Sequence, residues 1–259
     1  MLHSHPSRRP ATLTAAVFLA LLVTLPASAE VTREHHSTVP LSANGRVSVE
    51  NINGDVEITG WSRNEVQIDA VISAPDQQRL GDITILVGNN SNAVNIETKY
   101  AHHFVNNNPG SVHYTLHVPQ NATIDKINLV NGSLDVQKVY GEVNANLVNG
   151  KLRATDLAGT ADLQTVNGTI DANYNSLKDV HSITLKSVNG AVNLLLPPSA
   201  NANVSASNVS GGISTDFPLT VKGEFGTKSL SGTLGNGGVE IELNNVNGSI
   251  HIGPGRGTL

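Results

Sequence analysis

The sequence predicts an all-β chain wound as a β-solenoid, and three observations predict it. A short motif, apolar–Asn/Ser–Gly–x–apolar, recurs eight times. Apolar and polar residues alternate around the copies, as strands with one buried face require. Large rings are scarce: Trp61 is the single tryptophan, beside four tyrosines and four phenylalanines. Cores built from thin repeated layers of Val, Ile, Leu and Ala need few rings.

The motif copies begin at Ile52, Val130, Val148, Val166, Val188, Val209, Leu230 and Val246. From Gly132 their glycines advance by 18, 18, 22, 21, 21 and 16 residues, the scale of one solenoid rung. Before a corner Val143, Ala145 and Leu147 share one parity; after it Leu152 and Ala154 continue an apolar face. Glycine reaches the positive φ that a sharp corner demands, and asparagine tolerates left-handed backbone better than other residues with a Cβ. Asn-Gly between alternating strands also suits a β-hairpin, with Leu147 and Leu152 as cross-strand partners, so a hairpin-built sandwich or roll is the competing architecture.

Stacking makes two testable demands. The residue three after the motif glycine is Asp135, then Arg153, then Asp171, so in-register rungs would form an acid–base–acid ladder on the outer face. Asn131, Asn149, Asn167 and Asn189 would form an amide ladder, and their parity with the apolar positions places it inside.

Residues 30–126 are less regular. Val47–Glu50, Glu65–Ile72, Asp82–Val87, Ala93–Thr98 and Ser111–Val118 read as strands. A short helix fits Asp76–Leu80; Asn89–Asn92 and Asn106–Gly110 read as polar loops. This part is expected to be the divergent, capping start of one array spanning 30–259, with regular repeats over 127–259; a separate small β domain is the alternative.

The first 29 residues read as an export signal. Arg8 and Arg9 precede an apolar stretch from Ala11 to Leu25, and Pro26-Ala27-Ser28-Ala29 supplies the small-x-small site for cleavage between Ala29 and Glu30. The apolar run is shorter than the roughly 20 residues of a spanning helix, which favours a cleaved leader over a retained anchor. The expected location is the periplasm, the cell surface or the outside. The remaining chain carries 14 basic and 21 acidic residues, a balance that does not suit nucleic acid. Without cysteine there is no disulfide framework, no lipidated cysteine and no thiol nucleophile. No second apolar stretch predicts a span in the mature chain.

The sequence resembles the putative-adhesin family of exported bacterial proteins, a domain of unknown function. The resemblance rests on Gly54-Asp55-Val56-Glu57-Ile58-Thr59-Gly60-Trp61, on the repeated Val-Asn-Gly copies, on Leu194-Leu195-Leu196-Pro197 followed by Val209-Ser210-Gly211-Gly212-Ile213, and on the closing Val246-Asn247-Gly248-Ser249-Ile250. It implies a right-handed β-helix-like fold and a cell-envelope setting. Some relatives are associated with envelope stress and antimicrobial peptides, and relatives are often tethered to membrane. It brings no catalytic residues.

Chemistry is sparse. His102-His103 and the strand pair His113 and His117 are the candidates for a zinc or copper site, but their spacing matches no standard signature. Asp135 and Asp171, two rungs apart, are the best carboxylate pair for a polysaccharide-cleaving β-helix; the rung spacing puts them about 9.5–10 Å apart, too far for retaining hydrolysis and at the limit for inverting. No Gly-x-Ser-x-Gly elbow occurs. The Asn-x-Ser/Thr triplets follow from the corner motif. No cofactor or metal is expected, and the expected role is a non-enzymatic surface for a glycan, an envelope protein or a peptide. Asp135, Arg153 and Asp171 are the candidate contact residues. Capture of cationic antimicrobial peptides and glycan cleavage are the alternatives. The tail Gly253-Pro254-Gly255-Arg256-Gly257 reads as a terminator of the ladder, so a monomer or small oligomer is expected.

Overall fold

Alternation with a fixed corner decides the architecture. A computed structural model describes residues 30–101, 109–222 and 228–255. Strand β1 (Val31–Pro40) leads to β2 (Arg46–Asn53), which turns at Gly54 into β3 (Val56–Trp61); β4 (Glu65–Ala74) follows. The short helix α1 (Gln77–Gly81), capped by the Asp76 carboxylate accepting from the Arg79 N–H, precedes the hairpin β5 (Ile83–Asn90) and β6 (Ala93–Tyr100). After β7 (Ser111–Pro119) the rungs become regular. They are β8 (Thr123–Asn131) with β9 (Leu134–Gln137), β10 (Val143–Asn149) with β11 (Leu152–Leu157), β12 (Ala161–Asn167) with β13 (Ile170–Tyr174), and β14 (Ser182–Asn189) with β15 (Val192–Leu196). The long β16 (Ala202–Thr215) runs through its corner unbroken; β17 (Thr220–Lys222) and β18 (Lys228–Leu234) precede the equally long β19 (Val239–Pro254).

Each corner hands the chain from a front stack to a back stack, so Leu147 and Leu152 are not hairpin partners. Leu147 lies beside Leu129 and Thr165 in front, and Leu152 beside Leu134 and Ile170 behind. The front order is β5, β6, β2, β8, β10, β12, β14, then the first halves of β19 and β16, then β18 and β17. The back order is β1, β4, β7, β3, β9, β11, β13, β15, then the second halves of β19 and β16. Pairing is parallel through the middle and antiparallel at the ends, except that the back stack closes on the parallel pair of β19 and β16. The chain is a β-solenoid.

Two inward columns make the core. The front contributes Val47, Ile124, Val143, Ala161, Ile183 and Ile241; the back contributes Val56, Leu134, Leu152, Ile170, Val192 and Ile250, all buried. Burying each larger side chain is worth about 1.5–3 kcal/mol. Among the described residues only two rings, Tyr114 and Tyr174, are fully buried; elsewhere aliphatic residues fill the layers, each one side chain deep from each stack. The corner glycines stack backbone on backbone: a Cβ on Gly190, whose φ is +147°, would collide with the Gly168 carbonyl beneath it.

Several expectations need correction. The amide ladder is outside: the chain turns at Val148–Asn149, so these asparagines project sideways from an exposed edge instead of following inward parity. The stacking order is not the sequence order. Gly54 lies under Gly132, 78 positions on, and β19 slips between β15 and β16, so Asn189 neighbours Asn247 and not Ser210. Leu230-Ser231-Gly232 is no corner; it lies in β18, antiparallel to β16, with Gly232 opposite Val204. Gly253 and Pro254 still belong to β19, which ends at Pro254 opposite Leu196, the last residue of β15; Arg256 and Gly257 lie outside the described residues. Asn89 and Asn90 belong to β5 and pair with β6.

Candidate functional site

The back stack carries the predicted residues on its outer face. Asp135 on β9, Arg153 on β11 and Asp171 on β13 stand directly opposite one another in successive rungs. The column extends in both directions, to Glu57 on β3 and to Asn193 and His251 beyond Asp171. The ion pair that forms is diagonal: Lys151 Nζ lies 2.7 Å from an Asp171 oxygen. Partial burial pushes the Asp171 carboxyl up, but hydrogen bonds from Asn193 and Lys151, with Arg153 nearby, outweigh it and hold the group below its ordinary range. Asp135 accepts from the Gln137 amide at 3.0 Å. Glu57 sits opposite Asp135, a like-charge pair in the ladder, while Asp55 accepts from the Ser133 N–H at 2.7 Å. Asp135 and Asp171 are two ladder steps apart with Arg153 between them, so each carboxylate faces a guanidinium position and not the other carboxylate.

The histidines separate. His113 approaches the Asp55 carboxylate at 3.6 Å, whereas the His117 ring packs on Trp61 with centroids 5.1 Å apart. Among the described residues no three metal-ligating side chains gather. His102, His103 and Ala29 lie outside the described residues; Glu30 is exposed just before β1.

A second surface was missed by sequence reasoning. The first residues of the corner motifs are exposed, from Ile52 through Val130, Val148, Val166, Val188 and Val246 to Val209, at 39–51%. They share the outward parity of Asn146 and Gln164, two residues earlier in each strand, and that parity was the available signal. Beyond this stripe runs the asparagine ladder, in which each amide nitrogen donates to the neighbouring amide oxygen: Asn131 to Asn53, Asn149 to Asn131, Asn167 to Asn149, Asn189 to Asn167 and Asn247 to Asn189, at 2.9–3.0 Å. Inside the corners, buried Asn245 and Asn208 donate to the Gly190 and Gly248 carbonyls, and the Ser187 hydroxyl donates to Gly168. These buried groups lock one corner to the next.

The model of the Toastrack DUF4097 family matches residues 27–253. A solved structure of a putative cell adhesion protein from Clostridium sporogenes is 14% identical, with 88% of this chain and 100% of that chain covered and a TM-score of 0.53. A putative adhesin from Bacteroides fragilis is 10% identical, with 88% and 98% covered and a TM-score of 0.42. The first of these likenesses supports the fold and nothing finer. No curated protein matches the chain.

Proposed function

The chain belongs to the Toastrack DUF4097 family, and from that premise we propose that it is an exported, non-enzymatic solenoid that presents a rigid surface for adhesion or scaffolding at the cell envelope. The observation that carries this reading is the in-register outer column of Glu57, Asp135, Arg153 and Asp171. Stacked parallel strands hold such groups in a fixed plane without loops, which suits repeated contacts with an extended partner. The name borne by the Clostridium sporogenes structure, a putative cell adhesion protein, agrees with it. Export rests on the basic and apolar leader that ends at Ala29.

The test is co-sedimentation of the chain from Glu30 onward with envelope fragments of the producing cells. Retention of the wild-type chain, lost in a combined Asp135→Asn, Arg153→Gln, Asp171→Asn variant that keeps its melting temperature, is the expected result. Equal retention of the variant would overturn the assignment to this face. Sequencing the N-terminus of the native protein tests export: a chain beginning at Glu30 is expected, and one that keeps the leader would make it an anchor.

One observation favours a second reading. Glu57 opposite Asp135 is a like-charge pair, which costs stability in a ladder unless a cation is shared. A cationic peptide would relieve it, so capture of such peptides on this face predicts binding that weakens as salt rises.

A further inference from the structure

The front stack offers a site that owes nothing to the charged column. Between the valine stripe and the parallel column two residues earlier runs a cleft of about 550 Å³. One side is Val130, Val148, Val166 and Val188; the other includes Asn146 and Gln164. The pairing is in register, so both sides repeat at every rung, about 4.8 Å apart, and the whole stripe extends over about 29 Å. Gln164 spends one N–H on Asp162 at 3.0 Å, which fixes its amide and leaves the rest of that group for a ligand.

We propose that this cleft binds a linear, uncharged glycan of equatorially linked pyranoses, one sugar to a rung. Two features select that occupant. Seven side chains about two-fifths exposed amount to a few hundred Å² of apolar surface, comparable with the apolar share of a standard interface, so a second copy is the competing cover that the test below must exclude. The polar side is largely neutral amide and hydroxyl, with Lys186 as a single cation among the residues lining the cleft, so neither a strongly basic nor a strongly acidic chain finds complementary charge. The step decides between neutral chains. An extended peptide repeats its same-face side chains every ~6.6 Å and drifts out of register with a 4.8 Å ladder within a few rungs. A ribbon of equatorially linked pyranoses advances by slightly more than the ladder step per sugar, with alternate sugars turned over, so it drifts against the rungs far more slowly than a peptide does. Its C–H faces are apolar and suit valine; its edge hydroxyls both donate and accept, as the amides do.

Calorimetry of the chain from Glu30 onward with cello-oligosaccharides of increasing length tests this. Affinity should rise with each added sugar and level off at about six or seven, the number of rungs in the stripe. Malto-oligosaccharides, whose axial linkages coil the chain, should bind at least tenfold more weakly. Raising sodium chloride through the physiological range should change the affinity less than twofold. Val148→Lys with Val166→Lys should cost at least tenfold. Asn146→Ala with Gln164→Ala, which leaves the apolar stripe intact, should weaken binding several-fold without altering the circular dichroism spectrum. No heat at any oligomer length would overturn the proposal. So would equal binding of the malto series, or lysine variants that bind as wild type. A dimer in sedimentation equilibrium that Val148→Lys dissolves would assign the stripe to a second copy instead. Because the charged column is untouched, a negative result here leaves the envelope-retention test standing, and the reverse holds as well.

Discussion

Replacing Gly190 by alanine should destabilise the solenoid severely, while the same change at Gly212 should not. Gly190 stands at φ +147°, in the region that side chains rarely adopt, and a Cβ there would overlap the carbonyl oxygen of Gly168 in the rung beneath. Backbone strain of this kind costs about 1–3 kcal/mol. Forcing one rung away from the next adds about 1–3 kcal/mol of overpacking. The neighbour that must yield is main chain, held by the Gly168 N–H to Asn189 carbonyl bond at 2.9 Å and by the Ser187 hydroxyl at 3.3 Å, so no rotamer change relieves it. A domain of this size loses roughly 2–4 °C of melting temperature per kcal/mol, which predicts a drop of about 5–20 °C. A Cβ on Gly212 meets nothing within 4 Å, and its substitution should stay within about 0.5 kcal/mol of wild type. Thermal melts followed by circular dichroism, with urea titrations alongside, make the comparison. If Gly190→Ala melts with Gly212→Ala, the corners are not in backbone contact and the stacked-glycine account fails.

Three further outcomes follow from the same geometry. Asn149→Ala removes two exposed 2.9 Å amide bonds and should cost about 1–2 kcal/mol in urea. Asn149→Asp should cost more, because it sets a carboxylate oxygen against the Asn131 oxygen; wild-type stability for both would show the ladder to be ornamental. Hydrogen bonds to Asp69, at 2.7 Å, and then to Glu34 hold the exposed His36 imidazole above its ordinary value of 6.5. Any stability from this pair is therefore complete below that pH and lost as pH rises through the folded value; an NMR titration should show Asp69→Asn lowering the His36 midpoint, and an unmoved midpoint refutes the contact. Burial pushes the Tyr114 phenol from 10.0 up to about 12, and burial raises Tyr174 as well. The folded chain thus holds protons that the unfolded chain releases, so urea stability should be full below pH 10 and decline as pH rises toward 12; tyrosinate absorbance appearing for all four tyrosines before unfolding would refute their burial.

The rung was legible because it is written locally. Period-two alternation from Val143 to Leu147 fixes which face is buried, and Asn-Gly fixes where the strand leaves its stack. The charged column was legible for the same reason: once the corners stack, Asp135, Arg153 and Asp171 have no freedom of register. The partner of Asp171 was not, because Lys151 reaches diagonally from two positions away and only side-chain packing chooses between it and Arg153. The valine stripe was missed because parity was followed only along the buried positions Val143, Ala145 and Leu147, and never along the outward positions Asn146 and Val148. Buried Asn208 and Asn245 were overlooked for the opposite reason, as polar residues at inward positions whose partners are the glycine carbonyls of a neighbouring rung.

Stacking order at the two ends was beyond local reading, yet it has a physical logic. The rung next to β14 and β15 must be apolar on its inner face and must continue the amide ladder. β19 supplies Ile250 and Ile252 beside Val192 and Leu194, and Asn247 donates to Asn189 at 3.0 Å. The earlier β16 offers Ile213, Thr215 and Ser210 at the same places, a poorer match that is tolerable at the end of the stack. Inserting the last strand therefore places the better sequence in the interior and leaves the front edge of β16 to be covered by the antiparallel β18. The opposite end uses the same device. β2 and β3 come early in the chain but lie inside β6 and β7, and the antiparallel hairpin of β5 with β6 and the β1–β4 pair take the outer positions. Strand direction reverses at the first end of both stacks and at the last end of the front stack, which interrupts the parallel register along those edges; the back edge of β16 at residues 211–215 keeps it.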